Sequence, residues 1–279
     1  MAGTYGGDVG DRAPVAAMNI AFVTQDDPFY VRLFFEEFMA IRDRSDVIKA
    51  VVVAPPMGKK SFAALLRQMF EFYGPWNFVR MGLRYVLLRL ASRIPAWSRR
   101  GRFFSISQIC EHYGVPDIHV RDINAPEFLS RAATWQLDVI ISVAAPQVFR
   151  EALIGLPRRH GCINIHNSKL PKYRGMLPNF WQMFHGEKKV GTTIHRINAG
   201  IDDGEILLQA ETPILDGESL DSVIRRTKRF GARLMVEMLQ QLKSGQLQPL
   251  PNPKADSTYF TFPTRRDVVE FRRRGYRLI

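Results

Sequence analysis

Apolar runs that alternate with segments of helical periodicity constrain the fold of this chain more than any other feature of its sequence. Three of them are rich in β-branched residues and predict buried strands: "MNIAFVT" from Met18, "VIKAVVVAP" from Val47 and "DVIISVAA" from Asp138. Between the first two runs, Phe34, Phe38 and Ile41 recur at helical spacing. A strand, a helix and a second strand in this order predict a βαβ unit and a parallel sheet. We therefore predict an α/β fold with a mostly parallel twisted sheet.

The chain divides into three predicted parts. Residues 1–17 are rich in Gly, Ala and Asp and lack the apolar segment of a signal peptide, so we expect them to be disordered. Residues 18–250 carry the strand and helix patterns of one domain, and residues 251–279 form a short basic extension. The sequence contains no run of 18 apolar residues, and its two cysteines have no metal-ligand spacing. Cysteine usage and the lack of a signal peptide favour a cytoplasmic protein.

The net charge of +12 is concentrated in two segments. Residues 58–103 contribute +9 and residues 251–279 contribute +4. The first segment belongs to an insertion, 57–104, which looks helical and aromatic, is broken at Gly74-Pro75 and is ended by Pro95. Such a composition fits peripheral contact with an anionic membrane, binding of a phosphate or nucleotide sugar, or a solvated insertion or oligomer contact, which leaves a homodimer open.

A helical wheel does not choose between these uses of the insertion. It places Arg80 and Arg84 together but puts Arg89 and Arg93 nearly opposite, so no single polar face results.

The stretch "INIHNSKLP", residues 163–171, combines a strand with two chemically active side chains. Side chains two apart on a strand share a face, so Asn164 and His166 lie together, opposite Ile163 and Ile165. They also reach the carboxyl end of the strand, where open parallel sheets bind ligands. On its own, an Asn-x-His pair in a strand is more often structural than catalytic.

Two further segments change that interpretation. "GTTIH" places His195 on a later strand, and "GIDDGE" places Asp202 and Asp203 in a glycine-flanked turn. Taken alone, "DDG" is typical of a hairpin turn. Together, "DVIISVAA", "GCINIHNSKLPKYRGMLP", "GTTIH" and "GIDDGEILLQ" resemble the folate-dependent formyltransferases, which include methionyl-tRNA formyltransferase, glycinamide ribonucleotide transformylase and the sugar N-formyltransferases. The resemblance implies a Rossmann-like formyltransferase core.

The resemblance also implies a catalytic set. It assigns Asn164, His166 and Asp202 to the active site, with His195 supporting Asp202. The implied reaction moves a formyl group from N10-formyltetrahydrofolate to an amine through a tetrahedral intermediate. Asn164 and His166 would donate to its oxyanion and Asp202 would take a proton, with no metal required. We expect the nearby charges to raise the pKa of His166 and to lower that of Asp202.

Binding residues follow from the same resemblance. The folate candidates lie on one strand end and one turn: Val143, Ala145, Gln147, Phe149 and Gly200. Ordinary packing is an equal alternative for them. The loop "HNSKLP" carries Asn167 and Lys169 where the family usually has apolar residues, and Tyr173 and Arg174 follow it. We predict that these four residues contact the acceptor, although a turn with a solvated arginine is an alternative for Tyr173 and Arg174.

Several acceptors are compatible with the resemblance. A primary amine on a phosphate-bearing amino sugar, nucleotide-linked or lipid-linked, fits best. A tRNA acceptor is disfavoured because tRNA formyltransferases carry a second C-terminal domain, and a hydrolase of formyltetrahydrofolate usually carries an extra N-terminal domain. The competing class is a non-enzymatic basic module that binds membrane or nucleic acid. It explains the positive charge but not why Asn164, His166, His195 and Asp202 all fall on motif positions of the formyltransferase family.

Overall fold

The computed structural model describes residues 17–55, 62–95 and 101–279, so most of the predicted N-terminal segment lies outside the described residues. The nine strands within these ranges are β1 Asn19–Thr24, β2 Val47–Val53, β3 Asp117–His119, β4 Val139–Val143, β5 Gly161–His166, β6 Arg174–Gly175, β7 Lys189–Arg196, β8 Ile206–Pro213 and β9 Tyr259–Phe260. The eight α-helices are α1 Val31–Ile41, α2 Phe62–Ala91, α3 Ile106–Tyr113, α4 Pro126–Ala133, α5 Glu151–Ile154, α6 Pro178–Phe184, α7 Leu220–Ser244 and α8 Arg265–Arg273.

Seven strands form one sheet in the order β3-β2-β1-β4-β5-β7-β8. The first five in this order pair in parallel, and β7 and β8 continue the sheet with antiparallel pairing. This arrangement confirms the α/β class and the mostly parallel sheet predicted from the apolar runs. The parallel strands share one carboxyl edge, where β1, β4 and β5 all end.

Helices cover both faces of the sheet. Ile163 and Ile165 of β5 belong to the core that packs against α1, α3 and α7. Cys162, between the strand's start and Ile163, belongs to a second core formed with α4 and α5 on the opposite face. β5 therefore alternates as predicted, and Asn164 and His166 point away from the first core.

The insertion between β2 and α3 forms a helix with a break. Gly74 has a φ of 72° and a ψ of 169°, which divides α2 into two halves at the predicted Gly74-Pro75 position. A side chain at such a φ is strained, so glycine suits this break. Within the described residues, no helix has the length and hydropathy needed to cross a membrane.

The basic extension packs onto the domain near the carboxyl edge of the sheet. β9 pairs with β6, and Phe271 of α8 stacks on Phe180 of α6 with ring centroids 4.6 Å apart. Thr264 and Asp267 form a capping box that begins α8. The division of the chain at residue 250 stays a prediction.

Candidate active site

The sheet brings two of the candidate residues together through backbone pairing. β5 pairs with β7 in antiparallel register, and this register places Asn164 directly opposite His195. On the other side, β4 places Ser142 opposite Asn164. Residues that are opposite each other in a sheet have side chains close enough to interact. Pairing thus explains why residues 31 positions apart meet, with Asn164 Nδ2 3.1 Å from His195 Nε2.

The turn between β7 and β8 delivers Asp202. This residue has a φ of 50°, and its carboxylate accepts a hydrogen bond of 3.0 Å from the backbone N–H of Gly175. The side-chain amide of Asn252 donates to the carbonyl oxygens of Asp202 and Gly204, at 3.0 and 2.9 Å. The turn is therefore held by groups from β6 and from the C-terminal extension.

The carboxylate of Asp202 lies between both histidines. Its Oδ2 is 3.6 Å from His166 Nδ1, and its Oδ1 is 3.6 Å from His195 Nε2. The structure thus brings Asn164, His166, His195 and Asp202 into one cluster, as the sequence predicts. The functional roles assigned to them stay predictions.

Backbone carbonyls define which nitrogen of each imidazole carries its hydrogen. His166 Nε2 donates to the Tyr173 carbonyl oxygen at 2.8 Å, and His195 Nδ1 donates to the Arg196 carbonyl oxygen at 2.8 Å. In the neutral rings, Nδ1 of His166 and Nε2 of His195 then keep a lone pair. His195 Nε2 can accept from the Asn164 amide, and His166 Nδ1 is a proton acceptor facing Asp202.

Burial controls the charge of His166. It lowers the pKa of this imidazole; Asp202 and the Tyr173 carbonyl act in the opposite direction without outweighing it, and Lys228 of α7 reinforces the lowering. Asp202 thus raises the pKa of His166 as predicted, but the net shift is downward, because desolvation of the charged ring is a larger effect than the attraction of the carboxylate.

The carboxyl of Asp202 behaves as predicted. Burial raises its pKa, but the imidazoles of His166 and His195 and the Gly175 N–H outweigh burial and hold the pKa below its ordinary range. At neutral pH the cluster therefore combines a neutral His166 with an ionised Asp202. A proton acceptor and an anion lie side by side, an arrangement suited to receiving a proton.

A cavity of about 180 Å³ opens beside this cluster. Its lining combines polar groups with an apolar wall: Ser142, Ala145, Gln147, Val148, Phe149, Asn164, His195, Ile197, Asn198, Gly200, Ile201 and Asp202. Four of the five predicted folate residues line it. Val143 does not, because its side chain is buried in the core between the sheet and α1. The amide of Gln147 is already engaged, since it bonds to the backbone of Pro55, Arg121 and Ile123.

The predicted acceptor residues separate into two pairs. The Lys169 side chain is exposed and lies 3.0 Å from Glu211, while the Asn167 carbonyl accepts from Gln182. Tyr173 and Arg174 are buried: the Tyr173 hydroxyl bonds to Glu187, and Arg174 bonds to Asn252. The structure therefore contradicts a solvated Arg174 and shows both side chains turned into the protein.

Sequence patterns missed two residues that hold Asp202. Asn252 lies in the irregular extension, where no periodicity marks it. Gly175 has a φ of 93°, and a Cβ there would lie 2.3 Å from the Phe260 carbonyl oxygen. Only glycine fits this approach of β6 to β9, which leaves its N–H free to reach Asp202. Within the part of the chain that is described, no group of three or more His, Cys, Asp or Glu side chains is arranged to hold a metal ion.

Comparisons with known proteins agree with this geometry. A family model described as "Formyl transferase" matches residues 98–239, a range that contains the whole cluster. The chain is 32% identical over 162 residues to methionyl-tRNA formyltransferase of Citrifermentans bemidjiense, covering 58% of this chain and 51% of that protein. It is 37% identical over 143 residues to the protein of the same name from Synechocystis, covering 51% and 43%. The chain thus spans about half the length of these curated relatives.

Solved structures support the fold. Glycinamide ribonucleotide transformylase 1 from Symbiobacterium toebii has a TM-score of 0.56 and 17% identity, over 85% of this chain and 94% of that one. A sugar N-formyltransferase from a Shewanella species has a TM-score of 0.55 and 18% identity, over 91% and 86%. Because the family match covers half of the chain and includes Asn164, His166, His195 and Asp202, the chain belongs to the folate-dependent formyltransferase family.

Proposed function

We propose that this protein transfers a formyl group from N10-formyltetrahydrofolate to a primary amine on a phosphate-bearing amino sugar. One observation carries the proposal: the amide of Asn164 and the ionised carboxylate of Asp202 line one open cavity, and the free Nδ1 of the buried, neutral His166 lies 3.6 Å from that carboxylate. Formyl transfer needs a proton acceptor for the amine and a donor for the developing oxyanion. This cluster contains both.

The cavity fits one end of a folate. Phe149, Val148 and Ile197 offer an apolar wall for a flat ring, and Ser142 and Asn198 offer polar groups to its edge. The volume is smaller than that of most drug-sized pockets, about 300–1,000 Å³, so the remaining length of the donor must extend over the rim. Val148 and Ile201 are exposed there and provide apolar surface. We assign the donor to this cavity through Ala145, Gln147, Phe149 and Gly200.

Each residue of the cluster then has a chemical task. The bound donor supplies a formyl carbon that an amine can attack. Asn164 uses one N–H on His195, which leaves the other for the negative charge that develops on the formyl oxygen. Since His166 Nε2 already donates to the Tyr173 carbonyl oxygen, His166 accepts the proton of the attacking amine at Nδ1 instead of making its predicted oxyanion contact, and Asp202 stabilises the resulting imidazolium from 3.6 Å. When the tetrahedral intermediate collapses, the bond between the formyl carbon and N10 breaks, and the imidazolium returns the proton to N10, which releases tetrahydrofolate and the formylated amine. His195 orients Asn164 while its own ring is held by the Arg196 carbonyl.

A second cavity supports a phosphate-bearing acceptor. It measures about 440 Å³ and lies at the ends of β1, β2 and β3, on the same edge of the sheet as the cluster. Arg89, Arg121, His119 and the acid Asp26 line it. Arg89 pairs with Asp26, whereas the exposed Arg121 and His119 suit an anion. The exposed Lys169 and the neighbouring Asn167 lie on the loop after β5, where we propose that they contact the sugar.

The curated relatives favour a second candidate acceptor. Both relatives described above are named methionyl-tRNA formyltransferases, so the aminoacyl end of a tRNA competes with the amino sugar. The same cluster could also activate water, which would make the protein a formyltetrahydrofolate hydrolase. We propose a cytoplasmic location for any of these reactions, since Cys110 and Cys162 are free thiols.

Mass spectrometry separates these candidates. The protein is incubated with N10-formyltetrahydrofolate and either a panel of nucleotide-linked amino sugars or methionyl-tRNA, and each acceptor is inspected for a gain of CO. A formylated sugar supports the proposal, whereas formylation of the tRNA alone would identify tRNA as the acceptor instead. Loss of the donor without any product indicates the hydrolase. If there is no turnover and a folate analogue does not raise the melting temperature, the result favours the non-enzymatic binding module.

A further inference from the structure

The second half of α2 exposes an apolar stripe to solvent. Its members recur at spacings of three and four residues and therefore share one side of the helix: Trp76, Val79, Leu83, Val86, Leu87 and Leu90. All six are exposed, with Trp76 at 80% and Val79 at 64% of their maximal accessible surface. A contiguous apolar patch of this kind marks an interaction site more often than a solvated surface.

The opposite side of α2 already has its partners. Phe72 and Met81 are buried, and Phe72 packs against Phe180 and Phe262. Arg84 pairs with Asp221 at 3.0 Å, and Arg89 pairs with Asp26. These two arginines are bound to the protein body, which explains why the helical wheel shows no single polar face. The stripe is thus the outward face of a helix that is firmly attached.

Positive charge lies beside the stripe and at its C-terminal end. Arg80 is exposed and neighbours the six apolar residues on the wheel, and the exposed Arg93 lies in the turn that follows α2. From residue 72 to residue 110 the sequence contains no Asp or Glu, so no acid in this segment offsets them. Lys59, Lys60, Arg99 and Arg100 add charge in the sequence on either side of α2, outside the described residues.

This charge pattern distinguishes two possible occupants. A second copy of the chain docked helix to helix would bring arginines against arginines in a segment without acids, and like charges at an interface are costly. An anionic lipid surface offers the complementary charge. Leucine, valine and tryptophan can enter the boundary between headgroups and acyl chains, while arginine side chains extend to the phosphates.

We propose that the outward face of α2 binds the surface of an anionic membrane. A cavity of about 370 Å³ at the Gly74 break is lined by Phe70, Pro75 and Val269, by Arg265 and Arg272 of α8, and by one acid, Glu71, which pairs with Arg67. The ion pair between Arg89 and Asp26 holds α2 beside the end of β1. Docking therefore places the carboxyl edge of the sheet, which carries Asn164 and His166, on the side of the membrane.

Vesicle co-sedimentation of the full chain tests the proposal. We expect the protein to pellet with vesicles containing phosphatidylglycerol at low salt and far less with pure phosphatidylcholine vesicles. The double variant Leu83→Asp/Leu87→Asp should weaken binding at least about tenfold, because two apolar side chains no longer enter the lipid boundary. The matched control Ile41→Asp/Leu215→Asp makes the same charge change at exposed positions outside α2 and should bind like the wild type.

A second pair of variants tests the charge. Arg80→Gln and Arg93→Gln should each weaken binding to anionic vesicles about fivefold, since one basic residue near an anionic membrane changes the binding constant by about that factor. Circular dichroism confirms that the variants remain folded. Equal binding by the wild type and Leu83→Asp/Leu87→Asp would overturn the proposal. So would a wild-type dimer in light scattering that this variant converts to a monomer, with no vesicle binding by either protein.

Discussion

The cluster at the end of β5 and the outward face of α2 depart in opposite ways from the usual placement of polar groups outside and apolar groups inside a protein. In the cluster, His166 is a buried polar group, and Asn164 and Asp202 are half-buried ones. On α2, Trp76 and Leu83 are apolar groups left in water. The polar groups are almost completely partnered, through Tyr173, His195, Gly175 and Asn252. The apolar side chains of the stripe are instead exposed to solvent.

Each region is prepared for its function in a different way. Burial with defined hydrogen bonds fixes protonation states and orientations before any substrate arrives, which is what catalysis requires. An exposed stripe on a rigid helix has its shape fixed as well, but it gains its stabilising contacts only when a surface covers it. We therefore expect changes in the cluster to affect chemistry or folding, and changes on the stripe to affect neither.

The largest effect should follow the removal of charge from Asp202. Asp202→Asn keeps the shape of the side chain but cannot support an imidazolium at His166, so we expect kcat to fall by about 10²–10⁴ while the fold persists. Steady-state kinetics and circular dichroism measure both. Asp203→Asn, one residue further along the same turn, is the control and should retain most activity. Equal losses in the two variants would assign the effect to the turn rather than to the cluster.

Glycine substitutions should change stability in opposite directions in the two regions. Gly175→Ala introduces a Cβ only 2.3 Å from the Phe260 carbonyl oxygen at a φ of 93°, so we expect a loss of about 1–3 kcal/mol. Gly82→Ala on the exposed side of α2 meets no atom within 4 Å and should stabilise the protein by about 0.5–1 kcal/mol. Urea denaturation of both variants gives the two values. Changes of the same sign in the unfolding free energy of both variants would contradict the expected difference between the two regions.

Acid should destabilise the protein through His166. The pKa of this buried ring lies below its ordinary value of 6.5, so the unfolded chain binds a proton first as the pH falls. Its contribution is complete above pH 6.5 and is lost as the pH drops through the folded-state pKa. We expect His166→Gln to flatten the decline in unfolding free energy below pH 6.5. Parallel curves for the wild type and the variant would show that His166 titrates normally.

The smallest effect should come from the stripe itself. Leu83→Ser and Leu87→Ser alter exposed side chains, so each should change the unfolding free energy by no more than about 0.5 kcal/mol and leave kcat on a soluble amine unchanged. Met81→Ala, on the buried side of the same helix, is the matched contrast and should cost about 2–5 kcal/mol. Similar costs for all three would mean that the stripe is packed against the protein.

Local pattern predicted the parts of this molecule that depend on local chemistry. The β-branched runs predicted β1, β2 and β4, and the alternation in β5 predicted the shared face of Asn164 and His166. Gly114 and Gly245, which end α3 and α7, adopt the left-handed conformation that favours glycine at helix ends. The family resemblance added His195 and Asp202, which spacing alone could not connect.

Other features depended on tertiary contacts that no pattern encodes. Asn252 holds the Asp202 turn from the C-terminal extension, across 50 residues of sequence. The net pKa shift of His166 runs against the effect predicted for Asp202, because the sequence shows the charged neighbour of His166 but not its burial. The stripe on α2 became visible only when the packing of Arg84 and Arg89 showed which side of the helix faces the protein.

Formyl transfer by the wild type and by Asp202→Asn under identical conditions shows whether the cluster is catalytic. Each folded protein is given N10-formyltetrahydrofolate and the panel of amino-sugar acceptors, and the formylated product is quantified by mass spectrometry over time. We predict that the wild type forms product and that the rate of the variant is lower by about 10²–10⁴. A folded Asp202→Asn protein that forms product at the wild-type rate would contradict it.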